Sequence, residues 1–165
     1  MKKFICLIPF LFILFSTLKA QNYKTAVGAR LGYPLSASIK HFINDSHAVE
    51  AYVGTRGRFD YRFTSISAAY QIHKPLSIDG FDGLSWYYGF GGSVYFWSWD
   101  DQYSFYADEF NGTSFGIQGY LGLDYKFENI PLSLTVDWVP SVFINGYGSG
   151  FGGGYGALGV RYVLK

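Results

Sequence analysis

From residue 21 onward, apolar and polar positions alternate with period two along most of the chain, and no segment there sustains apolar residues at i, i+3, i+4 and i+7. Period two marks strands whose two faces meet different surroundings. The clearest run sets Leu132, Leu134, Val136 and Trp138 against Ser133, Thr135 and Asp137. Phe115, Ile117, Leu121, Leu123 and Tyr125 stand in the same way against Gly116, Gln118, Tyr120, Gly122 and Asp124. Leu158, Val160, Tyr162 and Leu164 stand against Ala157, Gly159, Arg161 and Val163. Breaks at Gly, Pro, Asn and Asp clusters divide the chain into about eight strands, near 23–32, 36–42, 47–55, 62–73, 85–98, 112–126, 132–144 and 152–164. The second is the shortest and reaches spanning length only by extending into its turns. The pattern predicts an all-β fold, a closed antiparallel up-and-down barrel with both termini at one end.

A soluble barrel points its apolar face inward, whereas a transmembrane barrel points it at lipid and keeps a polar interior. The minor face of the strands carries Arg30, Lys40, Glu50, Gln118, Asp124, Asp137 and Arg161, interleaved with the small Gly28, Ser36, Ser38, Gly54, Ser93, Ser133 and Thr135. Its cations, Arg30, Lys40 and Arg161, are matched in number by its anions, Glu50, Asp124 and Asp137. A solvated outer face requires no such matching, but a closed, water-poor interior does, and the prediction is therefore a transmembrane barrel with an interior charge network. Arg30 on the first strand and Arg161 on the eighth become neighbours on closure and are expected to address the same acids, with Asp137 the nearest in strand order. Tyr23, Tyr33, Tyr61, Trp86, Tyr87, Trp97, Trp99, Tyr125, Trp138 and Tyr162 fall near strand ends, where aromatic girdles at the two membrane interfaces are expected.

Residues 1–20 are set apart from the fold. Met1-Lys2-Lys3 is followed by an apolar run from Phe4 to Phe15 and by Ala20, which reads as a cleaved secretory signal peptide ahead of a single barrel domain, 21–165. The run is shorter than the ~20 apolar residues a spanning helix needs. Cleavage takes away Lys2, Lys3 and Lys19, so the formal charge of +1 becomes slightly negative, and no basic footprint for nucleic acid remains. The single cysteine, Cys6, leaves as well, so an exported protein must hold together without disulfides.

With these features the chain resembles the small eight-stranded outer-membrane β-barrel proteins of Gram-negative bacteria, the OmpA/OmpX-like architecture. The resemblance rests on the leader, the alternation and the last strand, Gly156-Ala157-Leu158-Gly159-Val160-Arg161-Tyr162-Val163-Leu164-Lys165. That strand is similar to the C-terminal signal read by the barrel assembly machinery, with Gly156, Val160, Tyr162 and Leu164 in the signal positions and Lys165 where the pattern ends in an aromatic. The segments Arg30-Leu31-Gly32-Tyr33-Pro34-Leu35, Lys40-His41-Phe42 and Gly148-Ser149-Gly150-Phe151-Gly152-Gly153-Gly154 look like those of short barrels of this kind. The resemblance implies export through the Sec pathway, integral residence in the outer membrane, and contact with outer-membrane lipid and lipopolysaccharide. It is specific for fold and compartment and weak for activity.

Candidate chemistry is sparse, and the reading is non-enzymatic, with no cofactor and no metal. His41, His47 and His73 are the only histidines and are expected at the periplasmic rim, as interfacial or turn residues, far from an outer leaflet where lipid chemistry would take place. Asp100, Asp101, Asp108 and Glu109 gather in the longest expected outer connection, 99–111, but without the spacing of an EF-hand loop. Gly150-Phe151-Gly152-Gly153-Gly154-Tyr155 lacks the following helix that a phosphate loop requires. Arg56, Arg58 and Arg62 in another outer connection are candidates to pair with those acids or to bridge lipopolysaccharide phosphates. The connection 74–84 is long for a periplasmic turn. Three functions compete: a closed structural or surface-interaction protein of the envelope, a narrow pore for small solutes or ions, and an outer-leaflet lipid-binding or lipid-modifying barrel. A soluble ligand-binding barrel would need an apolar interior. Eight strands enclose only enough room for side chains, which favours the closed structural reading.

Overall fold

The computed structural model describes residues 23–57, 61–78, 80–99, 112–145 and 149–164. The leader segment and the acidic connection, with Asp100, Asp101, Asp108 and Glu109, lie outside them, as does Arg58. Eight antiparallel strands follow in chain order: β1 Thr25–Gly32, β2 Leu35–Phe42, β3 His47–Gly57, β4 Tyr61–Pro75, β5 Leu84–Trp99, β6 Gly112–Lys126, β7 Leu132–Phe143 and β8 Gly150–Leu164. Each pairs with its neighbours in sequence, and β8 returns to β1 with Thr25 opposite Leu164 and Gly32 opposite Ala157, so the sheet closes and no edge is left.

The alternation read from the sequence survives in three dimensions. Ser133, Thr135, Asp137, Val139, Ser141 and Phe143 on β7 point inward and are buried, while Leu134, Val136, Trp138 and Val142 face out. The outer wall is apolar through its middle: Ile66, Phe90, Ile117 and Val136 are each more than half exposed. Large apolar side chains outside and Arg, Lys, Asp and Glu inside are the reverse of a soluble domain. A hydrocarbon surround stabilises that arrangement, because the closed ladder pairs the backbone donors and acceptors of the strands with one another.

Several boundaries move, for local reasons. The strands on either side of the expected 74–84 connection run on to Pro75 and from Leu84, so the connection contracts to 76–83. Leu76 N–H bonds Leu84 O at 2.9 Å and Phe81 N–H bonds Ile78 O at 3.0 Å, which folds it into turns. The β2–β3 turn is built by Asn44, whose Oδ1 accepts from the Ser46 and His47 amides at 3.0 and 2.9 Å, the side-chain turn that Asn favours. Pro140, which has no N–H, interrupts the β6–β7 ladder between Ser141 and Trp138, and the β7–β8 register shifts beside it.

The aromatic girdle is corrected in part. Trp86, Tyr125, Trp138 and Tyr162 do face out, but Tyr23 and Tyr87 are buried in the lumen, and Tyr33 and Trp97 pack inward against Phe63 at the mouth. Tyr87 and Trp97 share strand parity with Ser93, so residue type misled where register decides. His73 is likewise not a rim residue: it is fully buried inside the barrel. A lysine at Val136, midway along β7, is expected to lower stability in lipid by about 2–4 kcal/mol. A urea titration of the vesicle-embedded protein measures this, and a neutral result would mean that this wall is not in hydrocarbon.

Candidate functional site

The six charges singled out in the sequence meet in the lumen. Arg30, Lys40, Glu50, Asp124, Asp137 and Arg161 come from β1, β2, β3, β6, β7 and β8, and all are at most 4% exposed. Glu50 is the hub. Its carboxylate accepts from Arg30 Nη1 at 3.1 and 3.2 Å, from Gln71 Nε2 at 2.8 Å and from Arg161 Nη2, with Lys40 Nζ 3.9 Å away. Arg30 spends its other terminal nitrogen on Asp137 Oδ1 at 2.9 Å. Lys40 donates to Asp124 Oδ2 at 3.2 Å, and Ser133 donates to Asp124 Oδ1 at 2.7 Å.

The expected Arg161–Asp137 pairing is therefore corrected. The two arginines do share an acid, but it is Glu50, from across the lumen. Arg161 lies against Ser38 Oγ at 3.1 Å and Thr135 Oγ1 at 2.9 Å, while Asp137 takes Arg30 and the Tyr87 hydroxyl, the latter at 2.5 Å. Strand order named the nearest acid along the sheet, whereas an arginine side chain reaches across a narrow barrel. Glycines make that reach available: a Cβ on Gly159 would lie 2.8 Å from Arg161 Nη1, and one on Gly122 would lie 2.8 Å from the Tyr87 ring.

Aromatic layers cap the charges at both ends. At the end that carries the termini, Tyr23, Phe42 and His73 close the lumen, with His73 stacked on Tyr87 at 4.7 Å and tilted against Phe42 at 4.8 Å. Tyr52 and Tyr87 present ring faces to Arg30 and Lys40 at 4.7 and 4.5 Å, which adds cation–π stabilisation to the ion pairs. Above them Gln118 uses its whole amide: Oε1 accepts from Tyr52, Tyr120 and Ser93, and Nε2 donates to Tyr95 and Ser141. At the opposite mouth Phe63, Tyr95 and Phe143 are buried beneath Tyr33, Trp97 and Tyr155. A cavity of about 20 Å³ remains between these layers, beside Arg30, Tyr52 and Gln118, room for about one water. Sequence reading missed His73, Gln71, Tyr52 and Tyr87 as lumen residues, although Tyr52 shares the parity of Glu50 and Tyr87 that of Ser93; on β4 it had placed no residue inside.

The other designated residues lie elsewhere. Arg56 is exposed at the mouth with its guanidinium 4.9 Å over the Tyr33 ring, and Arg62 is exposed on β4. Gly156, Val160, Tyr162 and Leu164 line up on the outer face of β8. His41 bonds Thr25 Oγ1 at 2.9 Å and His47 bonds the Tyr70 hydroxyl, both on the outer wall. Among the described residues no three His, Cys, Asp or Glu side chains converge as metal ligands.

No protein-family model matches the chain, and no curated protein matches it in sequence. Solved structures do share its fold. The N-terminal β-barrel domain of Pseudomonas aeruginosa OprF superimposes with a TM-score of 0.62 at 15% identity, covering 85% of this chain and 95% of that one. Neisserial surface protein A (NspA) gives 0.56 at 17% identity, covering 85% and 93%. The fold is that of the small eight-stranded outer-membrane barrels.

Glu50→Ala leaves three buried cations facing two anions and is expected to cost about 3–5 kcal/mol. Adding Arg161→Met removes the surplus charge and keeps the Arg30–Asp137 and Lys40–Asp124 pairs, so the double variant should recover most of the loss. Gel unfolding temperatures of the three proteins decide it, and equal losses in the single and double variants would exclude charge balance as the cause.

Proposed function

We propose that this protein is an integral outer-membrane barrel that acts without enzymatic chemistry, as a structural or surface-interaction element of the cell envelope. The observation that carries the reading is the filled lumen. A conducting pore needs a continuous wet path, and here Lys40, Glu50, Asp124 and Arg161 are fully buried in mid-barrel between two aromatic layers. The inside-out distribution of apolar residues supports residence in a bilayer, and the fold shared with outer-membrane barrels supports the outer membrane as that bilayer. Sec export follows from the leader, with the barrel assembly machinery reading Gly156, Val160, Tyr162 and Leu164 on β8. Lipid and lipopolysaccharide are the partners that the outer wall and the basic rim, Arg56 and Arg62, are suited to meet. An enzymatic reading finds no support in the histidines: His73 is sealed between aromatic rings, and His41 and His47 are tied to Thr25 and Tyr70 without a carboxylate to orient them.

Membrane-extracted protein should migrate compactly on SDS gels until boiled and should give no single-channel steps in planar bilayers. Recovery in the soluble periplasmic fraction without a heat shift would overturn the membrane reading. Reproducible conductance from the folded wild type would overturn the closed-barrel reading and replace it with the pore.

A further inference from the structure

The outer wall is not uniform. Across three adjacent strands one register row holds only small residues, Ala51 opposite Ala68 and Ala68 opposite Gly92, all facing out. The row below carries Tyr70 and Phe90, whose rings lie 5.8 Å apart, and the result is a trough of about 570 Å³. That volume falls within the ~300–1,000 Å³ usual for small-molecule sites. Its floor is not dictated by the packing of the sheet. A Cβ on Gly92 would meet nothing closer than 3.5 Å, whereas one on the inward Gly91 would lie 2.2 Å from a backbone oxygen. The side walls are fixed, since Tyr70 is tied through its hydroxyl to His47, and His41 is turned to Thr25 on β1.

Beyond the trough, toward the end of the barrel that carries the termini, the same wall turns polar. His47 begins β3, and Lys74 is exposed on β4 beside Trp86 of β5, with Tyr70 bridging from His47 toward the trough. From Lys74 to Ala68 is six residues of strand, about 20 Å at ~3.4 Å per residue, which a barrel tilt of ~40° turns into about 15 Å of depth. This is half of the ~30 Å hydrocarbon core, so the small row sits at the bilayer centre when Lys74 sits at the headgroups, with His47, four residues from Ala51 and about 10 Å from the row by the same conversion, just inside them. Resting on the membrane reading above, we propose that this wall holds one phospholipid of the periplasmic leaflet, with its phosphate at Lys74 and His47 and an acyl chain in the trough floored by Ala51, Ala68 and Gly92. A cationic ammonium at headgroup depth and an imidazole just inside it complement a phosphate. The centre of a hydrocarbon core offers only chain ends to fill a depression of this size.

The test uses full-length protein refolded into vesicles of phosphatidylethanolamine and phosphatidylglycerol, extracted in mild detergent and weighed by native mass spectrometry. One retained phospholipid per chain is expected for the wild type and for Leu134→Phe on β7. Ala68→Phe and Ala51→Phe, each checked by the gel shift for an intact barrel, should lose it, and His47→Ala with Lys74→Ala should retain it only in part. Undiminished retention in both Phe variants would overturn the proposal in favour of ordinary boundary lipid. A lipid-free dimer would overturn it in favour of a second copy in the trough. A wild-type chain that shows no heat shift and stays soluble would instead bring down the membrane reading on which the proposal rests, so the two failures are distinct.

Discussion

Glu50 is the residue on which the interior depends. Three cations and two further carboxylates are withdrawn from water in a space that eight strands make barely wide enough for side chains, and no one of them can be left without a counter-charge. One carboxylate facing two guanidinium groups, an amide and an ammonium converts separate pairs into a single body that ties β1, β2, β3, β4 and β8 to one another across the lumen. Residues 21–165 contain no cysteine, so this cross-lumen link does for the barrel what covalent bridges do in small disulfide-bonded domains.

The rest of the interior follows from what that body requires. Room for two arginines and a lysine comes from Gly, Ser and Thr at neighbouring inward positions, beside the Tyr52 and Tyr87 rings that face Arg30 and Lys40. Dryness comes from the end layers: Tyr23, Phe42 and His73 at one end, and Phe63, Tyr95 and Phe143 under the mouth aromatics at the other. In a water-poor interior each ion pair is stronger, and each unpaired group costs more. The plugs and the charge balance are therefore two parts of one device, and loosening a plug would weaken the pairs beneath it by letting water screen them.

Strand number, parity and the six interior charges were legible in the sequence because they rest on the same local rule, two-residue alternation, which tertiary packing seldom overturns once one face must be apolar. Partner choice was not legible. It depends on distances across the lumen, and these distances are fixed by the shear and tilt of the closed sheet; hence Asp137 lies with Arg30 and Arg161 with Glu50. The aromatics divided along the same line. Trp86 and Trp138, at outward parity, were placed correctly as wall residues, while Tyr87, Trp97 and Tyr23 were assigned by the preference of Trp and Tyr for interfaces. Inside a barrel that seals itself, the same side chains serve as stoppers, and for Tyr87 and Trp97 parity with Ser93 was the signal that distinguishes the two uses, whereas Tyr23 precedes β1 and carried none.

A filled and neutral lumen also limits where this molecule can act. Nothing larger than a water fits beside Arg30, Tyr52 and Gln118, so specificity for any ligand or partner must be written on the rims and the outer wall. On the wall the usual design is an even apolar belt, which grips lipid without choosing among lipid species. A depression floored by Ala51, Ala68 and Gly92 departs from that design, and at Gly92 a side chain would fill space at no steric expense to the sheet. Hydrocarbon stabilises a flat wall as well as a grooved one, so the groove confers an advantage only if what occupies it is held longer than its neighbours. The rims differ in kind: Arg56 over Tyr33 presents a fixed cation at the outer mouth, whereas Lys74 and His47 border the wall at the other end. Both ends of the barrel thus carry exposed cations, with the sealed interior between them.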